Sequence, residues 1–541
     1  MRTITLALAA ALLAGTAQAT TLVTNANGIQ SDDKGVITRF DGFLIGDDGK
    51  VAALLKKGEP RPQADQVIDA GGRTVLPGII DAHGHVIALG QALLSLDLTG
   101  TSSLDDMKAR LKDYAAANPT SAWLVGRGWN QELWPVKAFP TSADLDSVVS
   151  DRPVVLYRVD GHALVANSKA MELAGVTATT PSPSGGRIEN GLFVDAAEDL
   201  IDSKIPEPSD AQYDAALNAA QQAMLRVGLV GAHDMGTSID DWNAMRRAGE
   251  KDALKVRITG YAAGLPAWRI INEGAPTGWE FKDRLALLGT KLYADGALGS
   301  RGAFLKRPYA DKPDTRGLSL ISSEDLMKGA DSVANGRGQL AVHAIGDAAI
   351  AEVIDVLERV GAKYGRYHRA RIEHLQAADP KDLSRLKPAG IVASMQPTHQ
   401  TSDRTMAEVR LGPARLDGAY AWGSVHKLGI PLAFGSDFPV ESPDPFPGLM
   451  AAVSRQDLKG QPPGGWRPNE KLTLGQALHA FTRGAAYAGF AEKTMGAIEP
   501  GYWADFIIVD RDPTTADPQA LGRTKVLETW VGGEKVFSAP N

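Results

Sequence analysis

Eight apolar, β-type runs alternate with helically patterned segments, both chain ends read as short antiparallel strands, and about 140 residues separate the first two runs. Together these observations predict an α/β protein. Its expected parts are a distorted (β/α)8 TIM-type barrel, a small β-sandwich domain built from both chain ends, and an insertion after the first barrel strand. At 541 residues the chain is too long for one small core, so a large domain with an accessory unit is expected.

Residues 1–19 read as an export signal. Arg2 is the positive end, Leu6 to Leu13 the apolar core, and Ala17-Gln18-Ala19 the small-x-small cleavage pattern. Cleavage after Ala19 would leave a periplasmic or secreted chain beginning near Thr20. Residues 20–75 hold the short apolar stretches TLVTNANG, GFLIGDDGK, VAALLKK and QVIDAGG, separated by Gly and Asp. Residues 491–541 add DFIIVDRD and TKVLETWVGGEKVF, with Gly532-Gly533 as a hairpin. Neither end has enough strands to stand alone, so the two are expected to share one sandwich.

The barrel is expected over 76–490. Its runs are LPGIIDAHGH (76–85), VGLVGAHDMG (227–236), KVRITGYAA (255–263), LALLGTKLYADG (285–296), GQLAVHAIGD (338–347), RARIEHLQ (369–376), GIVASMQP (390–397) and IPLAFGSDFPV (430–440). Segments such as SDAQYDAALNAAQQAMLRV and DAAIAEVIDVLERVGAKYG carry apolar residues at three- and four-residue spacing and read as the intervening helices. The long gap after the first run marks an insertion domain at about 90–205.

Composition narrows the function classes. With 44% hydrophobic and 22% charged residues the chain is an ordinary globular protein. A net charge of -7 without a Lys/Arg cluster argues against nucleic acid or an anionic membrane as partner. No segment beyond the signal offers the ~20 uninterrupted apolar residues of a membrane span, and no Gly-x-Gly-x-x-Gly follows a strand. The expected partner is a small-molecule substrate; association into a homo-oligomer is left open. The chain has no cysteine, so a metal would be held by histidine, carboxylate or a modified side chain.

Barrel active sites lie at the C-terminal ends of the strands. His83 and His85 end the first run and, two residues apart, share a strand face. Lys291 lies on the fourth run, His343 on the fifth, His374 on the sixth and Asp437 on the eighth. Four of only ten histidines at equivalent strand ends, with an aspartate, point to a metal site rather than to stability alone.

The motifs PGIIDAHGH, KLYADGALGSRGA, VHAIGD, RIEHLQ and GSDFPV resemble those of the amidohydrolase superfamily. They are most similar to its branch of large metal-dependent hydrolases that includes N-substituted formamide deformylase; GRGWNQELWP and DGHALVANSKA extend the match over nearly the whole mature chain. The resemblance implies that His83, His85, His343, His374 and Asp437 are metal ligands and that Lys291 is a carboxylated lysine bridging two metals. An ammonium beside two cations would be repelled, whereas the carbamate formed with carbon dioxide is an anion with two oxygens. The alternative is an ordinary lysine paired with Asp295 and one metal on His83, His85 and Asp437, with or without His343. Zinc suits this donor set best, with manganese, iron and cobalt also compatible.

The expected reaction is hydrolysis of a C–N bond, in an amide or an N-acyl or N-formyl amine, by metal-activated hydroxide with Asp437 as proton shuttle. Alternatives are a deaminase, a lactone or ester hydrolase on the same site, or a non-catalytic binding or regulatory protein. His162 is a candidate for stabilising the substrate oxyanion, with capping of a local turn as the alternative. Trp129 and Trp134 are candidates for the wall of an apolar pocket, with core packing as the alternative. His399 is a candidate substrate contact. His233 is expected near the site without ligating, Asp81 as a hydrogen-bond support for the histidine pair, Asp347 as a helix N-cap, and Arg371 and Glu373 as an ion pair. Gly435-Ser436 is expected to allow close backbone approach before Asp437.

Overall fold

The computed structural model describes residues 20–540, except 159–162, 178, 184–185 and 367. The proposed signal and His162 therefore lie outside the described residues. All eight barrel runs form strands of one parallel sheet. They are β1 (Ile79–Gly84), β2 (Leu229–Thr237), β3 (Arg257–Ala263), β4 (Leu285–Tyr293), β5 (Gln339–Ala344), β6 (Arg371–His374), β7 (Val392–Met395) and β8 (Leu432–Phe434). Each pairs with its sequence neighbour. The ring closes just beyond β8, where Asp437 N donates to His83 O at 2.7 Å and His85 N to Phe438 O at 2.8 Å.

The helices form because their apolar spacing matches the sheet's outer face. Asp210–Arg226 begins with a capping box between Ser209 and Gln212 and buries Ala216, Leu217, Ala220 and Met224. Helix Val86–Leu94 lies against it so closely that a Cβ on Gly90 would stand 1.8 Å from Ala216 O. Asp347 is the first residue of helix Asp347–Tyr364, whose cap is Gly346, so the capping expectation is off by one position; its Oδ1 accepts from Lys306 N instead.

Both chain ends enter one sandwich, as expected. One sheet contains Thr21–Thr24, Gly42–Ile45, Val51–Leu55 and Gln66–Asp69; the other joins Asn27–Ser31, Ile37–Phe40 and Thr74–Pro77 to Phe506–Val509, Val526–Val531 and Glu534–Ser538. Their facing side chains form a core with Val23, Phe43, Val75, Phe506 and Trp530. Between helix Val86–Leu94 and helix Asp210–Arg226 the chain builds a six-stranded mixed sheet running from Leu96 to Asp195, with hydrophobic clusters separate from the barrel's.

Candidate metal centre and active site

The closure between β1 and β8 sets the site. Asp81 Oδ1 accepts from His83 N at 2.9 Å, and its carboxylate also takes Ser436 N at 3.0 Å and Ser436 Oγ at 2.7 Å. Asp81 thus supports the histidine pair through the backbone rather than through an imidazole. The approach is possible because residue 435 is glycine: a Cβ there would lie 2.4 Å from Asp81 Oδ1 and 2.5 Å from His83 N.

His83 ends the strand face and His85 caps the following helix, yet the two rings remain 5.6 Å apart. Asp437 Oδ1 lies 3.1 Å from His85 Nε2 and 3.5 Å from His83 Nε2; Oδ2 lies 3.7 Å from His399 Nε2 and 4.0 Å from His374 Nδ1. The His374 ring stands 4.6 Å from both the His83 and His343 rings. Asp437 and His374 both have left-handed backbone, φ 64° and 74°. Non-glycine residues adopt it at a cost of about 1–3 kcal/mol, which surrounding contacts must offset. At β6 this conformation breaks strand alternation, so adjacent Glu373 and His374 both reach His83.

Lys291 is buried beside this cluster, its Nζ 4.8 Å from the Tyr293 ring centre. No carboxylate stands within ion-pair distance of it among the described residues. Asp295, the expected partner in the unmodified reading, instead accepts from Phe304 N, Ile345 N and Gly346 N at 2.8, 3.0 and 2.8 Å. The expected Lys291–Asp295 pairing is corrected: Asp295 lies past the end of β4, turned onto backbone amides.

Burial, with the Lys291 charge next, brings His83 down to about 4 and His343 to about 3. Burial and the neighbouring histidines put His374 well below its ordinary value. Burial alone would raise Asp437, but His83 and His85 pull it down to about 2. Burial lowers the Lys291 amine to about 8 against the charges of Glu373 and Asp437. Burial therefore favours neutral imidazoles at His83, His343 and His374 beside an anionic Asp437, the protonation state that binding a divalent cation requires. His83 Nε2, His343 Nε2 and His399 Nε2 are buried without a hydrogen-bond partner. Unpaired buried nitrogens are costly, and a cation among them would satisfy those with bare lone pairs. His83, His374 and Asp437 present ligand atoms within 4.8 Å of one another. The residues fit a metal.

The structure brings together His83, His85, His343, His374, Asp437, Lys291 and His399. Trp129 and Trp134 pack together, ring centres 6.5 Å apart, in a cluster separate from the barrel's. Both indoles are buried in the insertion's core, their N–H groups donating to Leu156 O and Thr101 O. The pocket-wall expectation is corrected to core packing. Sequence reasoning passed over Tyr293, half exposed, whose ring lies 5.6 Å from His343; its position two residues after Lys291, on the same strand face, was the available signal. It also missed how Arg371 and Glu373 engage the site. The expected ion pair exists, Arg371 Nε to Glu373 Oε1 at 2.8 Å, but Glu373 Oε2 also accepts from His83 Nδ1 at 2.7 Å. His233 is held beneath the site, its Nδ1 2.7 Å from Arg371 Nη1.

The sequence profile of the amidohydrolase family matches residues 66–537. The Bacillus subtilis protein YtcJ, whose name classes it as an amidohydrolase, is 33% identical over 513 residues, covering 92% of this chain and 94% of its own. N-substituted formamide deformylase of Arthrobacter pascens is 26% identical over 508 residues, covering 88% and 90%. The crystal structure of an uncharacterized metal-dependent hydrolase from Pyrococcus horikoshii matches with a TM-score of 0.78 at 27% identity, over 92% of this chain and 99% of that one.

Proposed function

This chain belongs to the amidohydrolase family and is a hydrolytic enzyme, and from that premise we propose that its barrel mouth cleaves the C–N bond of an amide or an N-acyl or N-formyl amine. The observation that carries the reading is the grouping of His83, His374 and Asp437 with ligand atoms within 4.8 Å of one another, with His85 Nε2 3.1 Å from Asp437, the His343 ring 4.6 Å from that of His374, and imidazole nitrogens left unpaired. The similarity to a formamide deformylase supports the choice of bond.

A divalent cation, zinc by donor type, would be held by the four imidazoles and Asp437; when bound it supplies Lewis acidity and a hydroxide nucleophile at neutral pH. As a carbamate, Lys291 would complete the set by offering two anionic oxygens to a metal pair. Its Nζ adds to carbon dioxide and loses a proton, and its burial without an acidic partner supports this. Asp437 takes a proton as the carbonyl is attacked and returns it to the leaving nitrogen. The bond from Asp437 N to His83 O of β1 supports its place at the mouth. His399 Nε2 and the Tyr293 ring face the same space and contact the substrate. The reading includes export, with the mature N-terminus at Thr20.

The test is a panel of N-formyl, N-acetyl and N-acyl-amino-acid substrates, with metal content measured in parallel. Hydrolysis by the wild type is expected, with Asp437→Asn losing turnover by about 100-fold or more while substantial metal stays bound. Unchanged turnover in that variant removes Asp437 from its role. A wild-type protein that carries no metal and cleaves nothing in the panel overturns the reading.

A further inference from the structure

We propose that Arg371 and Glu373 form a positioning unit that selects the metal-facing nitrogen of His83: Glu373 holds the Nδ1 proton, and Nε2 is left bare toward Asp437. The inference rests on the metal-site reading above and names how the chain prepares one ligand for it.

Glu373 is completely buried and receives Arg371 Nε on Oε1 at 2.8 Å and Arg371 Nη2 on Oε2 at 3.1 Å. A carboxylate gripped by a guanidinium is an acceptor only. The proton in its 2.7 Å contact with His83 therefore belongs to Nδ1. A neutral imidazole carrying that proton has a bare Nε2, the atom that lacks any hydrogen-bond partner and lies 3.5 Å from Asp437 Oδ1. Turning the ring over would place carbon against Glu373 and lose a charge-assisted bond, so one orientation and one tautomer are selected together.

Arg371 locates the same residue through the main chain. Its Nη2 donates to Ala82 O at 2.6 Å and to Ser394 Oγ at 2.9 Å; its Nη1 reaches His233 Nδ1 at 2.7 Å and Tyr261 Oη at 3.2 Å. One guanidinium thereby ties β1, β2, β3 and β7 to β6, and its bond to Ala82 lies one residue before His83. Lysine has neither the planar fork nor the number of directed donors for this.

Glu373→Gln isolates the effect with almost no change in volume. Whichever way the amide turns, its NH2 group meets a donor. If it faces Arg371 Nε, the pair is broken. If it faces His83, Nδ1 must become the acceptor and the proton moves to Nε2, pointing at the metal.

Nitrogen NMR of the metal-free full-length protein reads the tautomer, and chelator competition with Zn2+ reads affinity. The expected result is wild-type His83 protonated at Nδ1, and a 10–100-fold loss of zinc affinity in Glu373→Gln. A purely structural role would instead lower the melting temperature of the metal-free variant while leaving zinc affinity unchanged, and that result overturns the proposal. So does wild-type His83 protonated at Nε2, a readout that decides the matter alone if the variant does not fold. Wild-type protein that binds no zinc overturns the site reading, while the tautomer still tests the Glu373 pairing.

Discussion

Gly435→Ala introduces one methyl group at the seam between β1 and β8. Its Cβ falls 2.4 Å from Asp81 Oδ1, 2.5 Å from His83 N and 3.1 Å from His83 O, where ordinary contact begins near 3.4 Å. Two of these atoms are backbone of β1, so relief requires a shift of about 1 Å rather than a side-chain rotation. The shift separates Asp81 from His83 N and from Ser436, the bonds that bring His83 and Asp437 together. Overpacking alone costs about 1–3 kcal/mol, and about 1 Å of misplacement at reacting groups costs roughly 100-fold in rate. The expected outcome is a folded, less stable protein with kcat/KM lowered by about two orders of magnitude. Gly278→Ala is the control, since a Cβ there meets nothing within 4 Å. Steady-state kinetics on a cleaved substrate, metal content and thermal melting of the three proteins decide it. A Gly435→Ala enzyme within threefold of wild type would refute the seam as the device that sets site geometry.

Two further outcomes follow from buried charge. Asp505 binds Arg257 through two contacts of 2.7 and 3.0 Å at the junction of barrel and sandwich, and both residues are buried. Asp505→Ala should therefore lower stability in urea by about 3–5 kcal/mol, while the double variant Arg257→Met/Asp505→Leu recovers most of the loss; equal losses in both would discard the ion-pair explanation. Burial raises Asp444 from 3.8 to about 6, although its Oδ1 caps the following helix through Phe446 N. Because its folded-state pKa lies above the unfolded one, folding is most favoured below about pH 4 and loses stability as pH rises to about 6. Asp444→Asn keeps the cap without the ionisation, so urea titrations should show up to about 3 kcal/mol of gain at pH 7, vanishing below pH 4. A gain independent of pH would exclude this cause.

The barrel strands were legible because buried parallel strands read as continuous apolar runs with glycine or proline at their borders, as in PGIIDAHGH and IPLAFGSDFPV. The strand-end rule then located His83, Lys291, His343, His374 and Asp437 together, although they span hundreds of residues of sequence. Partnerships across the barrel were not legible. Glu373 meets His83 from 290 positions away, and nothing local in RIEH distinguishes an acid that closes an ordinary ion pair from one that also holds a ligand. Asp295 failed for the same reason: four residues after Lys291 suggests a pair, but the chain turns beyond β4 and exposes three amides to the carboxylate. The tryptophans of GRGWNQELWP could be read either way, since burial depends on which sheet covers them.

The sandwich has a consequence for timing. Pro77 pairs with Phe506 and Thr74 with Val509, immediately before β1 begins at Ile79. The mount of the first barrel strand is thus completed by a segment far later in the sequence. Contacts so far apart in sequence are slow to form, and the seat of β1, which carries His83, rests on them. Residues 506–538 thus latch the strand that leads into β1, so a chain cut before Phe506 keeps every proposed ligand and loses the strand that pairs with Thr74–Pro77.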